Sequence, residues 1–185
     1  MTSNDVRVRV SNDGDRDRIL AIHRDAFGDD EGPVIANLVE EMLDDPSGDP
    51  IFSLVAQLGD ELVGHVLFTS VTVEPNSEVS AQILAPLAVA SERHGQGIGS
   101  QLVHDGFAHL QQSGVELVFV LGYPDYYSRF GFAPAGVRGF QAPYPILPKN
   151  ADAWMVHELA SGSSERYEGI IRCSKALDHP QYWQE

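Results

Sequence analysis

The chain predicts an α/β fold of the α+β type, one mixed sheet with helices on both faces. Three features predict it. Segments that alternate every second residue exchange with segments spaced by three and four, in the order strand, two helices, three strands, helix, strand. A glycine-rich turn, Gly95-Gln96-Gly97-Ile98-Gly99, joins an apolar strand to an amphipathic helix in mid-chain. A second apolar strand, from Leu117, runs into a short aromatic turn that ends at Gly131.

Val6 to Ser11 alternates and reads as the first strand, and Asp15 to Phe27 has helical spacing through Ile19, Ile22, Ala26 and Phe27. Pro33 marks the first turn of a second helix, Val34 to Leu43, which Asp45-Pro46-Ser47-Gly48 stops. Phe52 to Leu58 and Glu61 to Val73 form a hairpin around Gly59-Asp60. Ala81 to Val89 is the fourth strand, Gly97 to Gln112 a long helix closed by Gly114, and Leu117 opens the fifth strand. Phe140 to Pro148, with three prolines, reads as a loop. Ala153 to Leu159 and Tyr167 to Ser174 read as strands joined by a polar stretch, Ser161 to Glu165. At 185 residues, and with no internal repeat, the chain suits one domain spanning 1–185.

Composition narrows the function. A formal charge of -15 argues against nucleic acid, whose phosphates need basic patches, and would steer a cationic ligand instead. No apolar run reaches membrane-spanning length, and Arg7 and Arg9 interrupt the segment where a signal peptide would lie. The expectation is a cytoplasmic protein without a membrane partner. The sole cysteine, Cys173, cannot form an internal disulfide, and its apolar strand context reads as core. His104 and His109 lie five apart on one helix, not the three or four that a metal pair on one face needs, so no metal site is expected.

The glycine turn carries the functional reading. The first turn of a helix leaves amide hydrogens without internal partners, and its dipole adds roughly half a positive charge, so a strand–glycine turn–helix unit binds phosphate. A Walker loop requires Gly-Lys-Ser/Thr, whereas Gly99 is followed directly by Ser100. The dinucleotide fingerprint requires Gly-x-Gly-x-x-Gly after a first strand, whereas Gly95, Gly97 and Gly99 are spaced by two in mid-chain.

A third reading fits. His94, Gly95, Gln96, Gly97, Ile98 and Gly99 resemble the acetyl-CoA-binding Gln/Arg-x-x-Gly-x-Gly/Ala motif of the GNAT superfamily of N-acetyltransferases, with His94 where Gln or Arg is usual. Leu84-Ala85-Pro86-Leu87-Ala88-Val89 resembles that family's splayed fourth strand. Tyr126-Tyr127-Ser128-Arg129-Phe130-Gly131-Phe132 resembles its aromatic pair followed by Gly-Phe. Both strings are closest to the YhbS-like group of predicted N-acetyltransferases. The likeness is specific from Ile83 to Phe132 and looser elsewhere.

The resemblance implies a GNAT-like acyl-CoA N-acyltransferase fold and direct transfer of an acetyl group from acetyl-CoA to a small-molecule or peptide amine in a ternary complex. Gly95 to Ser100 would hold the pyrophosphate, Arg93 would add charge, and Leu87, Ala88 and Val89 would face the pantetheine, Leu87 and Val89 through main-chain groups. Tyr127 falls on the tyrosine that protonates the leaving thiolate. That role is chemically apt, because a thiolate of ordinary pKa near 8.5 must depart and a tyrosine near 10 is protonated at neutral pH. An amide of Val89 or Leu87 could face the oxyanion. The packed-aromatic alternative for Tyr127 stays open, since Tyr126, Phe130 and Phe132 surround it.

No general base is assigned. The fourth strand carries Gln82 and no carboxylate, leaving Glu74, the run Asp29-Asp30-Glu31, or a water chain. The acidic run also reads as a solvated helix cap. Tyr144 and Trp154 are acceptor-contact candidates, with surface loop and core as their alternatives. A CoA-binding module without catalysis and transfer of a longer acyl group beside Leu87 are the competing functions. Dimers are common among relatives, so a homodimer is admitted, and the residues leave the oligomeric state open.

Overall fold

Nine strands form the framework of the computed structural model, which describes residues 5–76 and 78–184. The first is β1 (Val6–Val10), followed by α1 (Arg16–Asp44), β2 (Phe52–Leu58), β3 (Glu61–Pro75), β4 (Ala81–Val89), α2 (Ile98–Gln112) and β5 (Leu117–Leu121). Beyond it lie α3 (Pro124–Tyr127), β6 (Ala133–Pro134), β7 (Phe140–Gln141), β8 (Trp154–Glu158), α4 (Ser163–Arg166) and β9 (Gly169–Arg172). The sheet runs β1-β2-β3-β4-β5-β8-β6, and β9 pairs with the far half of β3 and with β7. Every pair in the main path is antiparallel except β4 with β5.

The two helices expected between β1 and β2 are both present, running end to end within α1. Gly28 (φ 82°, ψ 179°) breaks α1 into two helical segments with no intervening loop. Its apolar residues, among them Ile19, Ile22, Val39 and Met42, are buried on one face of the sheet. The other face is covered by α2, whose Ile98, Leu102, Val103 and Leu110 pack on Leu54, Val66 and Phe68. Helix and sheet approach closely there, for a Cβ on Gly106 would stand 2.5 Å from the Phe68 ring.

The C-terminal third differs from its sequence reading in detail. The proline-rich loop opens with β7, and the polar connection 161–165 carries α4. The last two strands do not pair with each other: β8 lies beside β5, and β9 beside β3. The tail then returns across the α1 face, anchored by Trp183. This ring is 1% exposed, stacks edge-on to Trp154 at 5.8 Å and donates from Nε1 to the Leu177 carbonyl at 3.1 Å. Burial of a tryptophan of roughly 200 Å² contributes about 5 kcal/mol of apolar transfer, which holds the tail on this face.

Candidate active site

The parallel pair β4–β5 opens into a gap. Its register ends at Leu84 opposite Val120, yet β4 runs on to Val89 while β5 stops at Leu121. Against β3 the register of β4 slips between Leu84 and Leu87, where Ala85 and Pro86 both oppose Leu67. One extra residue reverses which side chains face which side. Leu84, Leu87 and Val89 therefore pack toward α2, whereas Ala85 and Ala88 pack toward the α1 face.

The main chain alternates too. The amide of Ala90 donates to Val63 of β3 at 2.8 Å, so the N–H and C=O groups of Leu87 and Val89 point away from β3, into the gap. One of these carbonyls is already engaged: Val89 O lies 2.8 Å from His94 Nε2.

The N-terminus of α2 forms the second wall. Gly95 and Gly97 both sit at φ 79°, a region open to glycine at no steric cost, and Gly97 caps the helix without a side-chain bond. The first intrahelical bond of this turn runs from the Gln101 amide to Gly97 O at 3.1 Å. The amides of Ile98, Gly99 and Ser100 thus have no acceptor within the helix. Beside them Arg93 Nε is buried without a hydrogen-bond partner. The loop is tied to α1 by Asp25, which accepts from the Ser91 amide at 2.7 Å and the Ser91 hydroxyl at 2.9 Å. Those bonds hold the Asp25 carboxyl below its usual range.

An aromatic wall closes the β5 side. Tyr126 and Tyr127 meet edge to face at 5.0 Å, and Tyr127 also packs on Phe130 and Phe132. Gly122 admits the Tyr127 ring, since a Cβ there would collide with it. Desolvation, then the neighbouring Tyr126, raises the Tyr127 pKa above the ordinary tyrosine value. Tyr126 points the other way, its hydroxyl lying where a Cβ on Gly99 would be, and the Arg129 guanidinium covers its ring at 4.4 Å.

These walls enclose a cleft of 840 Å³. Leu87, Ala88, Val89, His94, Gly95, Gly97, Ile98, Gly99, Ser100 and Tyr127 line it, and Gln96 faces solvent outside it. From α1 come Ala26, Phe27 and Glu31, and from the C-terminal tail comes Tyr182. Glu31 is the sole carboxylate among the lining residues. Glu74 is elsewhere, paired with Arg172 at 3.1 Å. Trp154 is core, donating to the Phe140 carbonyl, and Tyr144 reaches the Asp178 carbonyl; neither lines the cleft. Burial pushes the Cys173 thiol up to about 12, which makes it a poor nucleophile.

Sequence reasoning missed Tyr182 and a buried polar chain. His23 Nε2 lies 2.8 Å from His65 Nδ1, His65 Nε2 lies 2.8 Å from Ser53 Oγ, and Ser11 Oγ bonds Ser53 Oγ at 2.7 Å. Both imidazoles are fully buried, and His23 stacks on Phe27 of the cleft wall. The partners are 42 and 12 residues apart, so no local pattern announces them.

The cleft thus joins a split parallel pair with unpaired main-chain groups to a helix N-terminus that has no side-chain cap, the arrangement of an α/β domain with an open strand edge at its centre. Comparison with known proteins places it. The profile of the acetyltransferase (GNAT) domain matches residues 7–135. An uncharacterized N-acetyltransferase of Escherichia coli K12, YjhQ, is 38% identical over 176 residues, covering 94% of this chain and 95% of the relative. A second from the same strain, YhbS, is 32% identical over 165 residues, covering 89% and 93%. The crystal structure of a GNAT family N-acetyltransferase (YhbS) from Escherichia coli in complex with CoA superposes with a TM-score of 0.84 at 30% identity, over 94% of this chain and 92% of that one. A Brucella melitensis GNAT family acetyltransferase in complex with acetyl-CoA shares the fold at a TM-score of 0.68 and 22% identity, over 94% and 99% of the two chains. The chain belongs to the GNAT acetyltransferase family.

Proposed function

We propose that this protein moves an acetyl group from acetyl-CoA to a primary amine by direct transfer in a ternary complex. The observation that carries this reading is the open edge of β4 between the α2 N-terminus and Tyr127. The amides of Ile98, Gly99 and Ser100, with Arg93, receive the pyrophosphate. Leu87 and Val89 pair with the amide groups of the pantetheine arm as an added strand would. The thioester then sits where β4 and β5 diverge, beside the Tyr127 ring.

The neutral amine attacks the thioester carbonyl carbon, and a new C–N bond forms as the carbonyl electron pair moves onto oxygen. A gap-facing amide of Leu87 or Val89 holds that oxyanion. Collapse breaks the C–S bond, Tyr127 gives its proton to the departing sulfur, and the ammonium proton leaves to water. No carboxylate stands on β4 to take it, which fits a water chain.

Purified protein given acetyl-CoA and a panel of amines should release free CoA only when an amine is present. Tight CoA binding with no release on any amine would point to a binding module. Faster turnover of propionyl- or succinyl-CoA would assign a longer acyl group. The pyrophosphate assignment has its own test. In Gly99→Val the new side chain would collide with the Tyr126 hydroxyl and cover the helix amides, and CoA affinity should fall at least about tenfold, the loss of one charge-assisted bond. Unchanged calorimetric affinity would remove the phosphate from this turn.

A further inference from the structure

The two faces of the split sheet carry unlike charge. Arg129 stands on the α2 face, placed there by its stack on Tyr126, whose hydroxyl abuts Gly99, and Arg93 lines the cleft beside the first turn of α2. On the α1 face the lining residues are Ala26, Phe27, Glu31 and Tyr182. Tyr182 belongs to that face because it packs with Leu38 and Met42 of α1 in one cluster. A phosphorylated arm on the α2 amides and threaded through the gap leaves the α1 face as the free approach to the thioester. Glu31 is exposed and, among the described residues, forms no salt bridge.

We propose that the acceptor is a diamine-type cation that enters on the α1 face, with its second ammonium held by the Glu31 carboxylate and its alkyl chain lying against Phe27 and Tyr182. This rests on the acetyltransferase reading. Three properties select such a ligand. A lone carboxylate attracts an ammonium and repels an anionic tail. Aromatic faces accept both methylene groups and a cation. The overall charge of -15 concentrates cations around the molecule. The arginines on the opposite face do not cancel this preference once the cofactor's phosphates neutralise them, so the preference belongs to the CoA-loaded protein.

The test is calorimetric titration of CoA-saturated protein with cadaverine, pentylamine and aminovalerate, which share a five-carbon chain and differ only at the far end. Cadaverine should bind about fivefold more tightly than pentylamine, the size of one exposed ion pair, with aminovalerate weakest. In Glu31→Gln the two amines should converge to within about twofold. Equal affinity in the unaltered protein, or a preference that survives Glu31→Gln, overturns the inference while the acetyltransferase reading stands. Failure of CoA itself to bind overturns both.

Discussion

Replacing Tyr127 by Phe should lower kcat by about a hundredfold, the usual contribution of a positioned acid, while CoA binds with unchanged affinity. The substitution removes one oxygen and leaves the ring that Gly122, Phe130 and Phe132 pack against, so the fold is not at stake. Without a proton donor the sulfur must leave as a thiolate into an apolar setting, where the charged form is disfavoured. Tyr126→Phe is the matched control. Its hydroxyl lies beside Gly99 rather than toward Phe132, so its loss should weaken CoA binding and spare kcat. The pH profile separates the roles again. The raised pKa of Tyr127 keeps it protonated well above neutrality, so kcat should show no fall up to about pH 10, the ordinary tyrosine value. Equal loss of kcat in the two variants, or an alkaline limb near neutral pH, would dismiss Tyr127 as the acid.

The parts of this site legible in the sequence are the local ones. Gly95 to Ser100 and Tyr126 to Phe132 declare themselves because a helix cap and a tight aromatic turn constrain consecutive residues. The order of elements through β5 was equally readable, since strand-like and helix-like spacings succeed one another along the chain. What stayed hidden depends on register or long-range packing. The slip at Ala85-Pro86 decides that Leu87 and Val89 face α2, and one residue of slip leaves no trace in composition. The acidic run 29–31 could be read as a candidate, yet only the break at Gly28 places Glu31, and not Asp29 or Asp30, in the cleft. Tyr182 arrives because Trp183 anchors a tail that lies far along the chain from α1, and β8 and β9 separate because each pairs with a different earlier strand.

Stability should fall with increasing steepness as pH drops from about 6.5 to 5, before the structural carboxylates titrate. His23 and His65 are fully buried and bond each other as neutral rings, and only one nitrogen of the shared contact can carry a proton. Desolvation lowers His23 to about 3, and desolvation followed by the charge of His23 carries His65 well below the histidine range, with Asp15 opposing weakly. In the unfolded chain both return to about 6.5. The unfolded state therefore binds more protons than the folded one below that value. The loss begins as pH drops through 6.5 and, for His23, is complete near 3. At pH 5 His23 alone withdraws about 2 kcal/mol, and His65 adds in the same direction. His157, also lowered by desolvation, contributes with the same sign. Carboxylates do not confuse this window, for Asp15, held down by its bonds to Arg9, loses its contribution only at more acid pH. Urea midpoints across pH 5 to 7.5 measure the slope, and the double variant His23→Leu/His65→Leu, which leaves Ser53 its bond to Ser11, should flatten most of it. A slope already flat in the unaltered protein would show that the pair takes up protons while folded and would dismiss the buried histidines as the source of acid sensitivity.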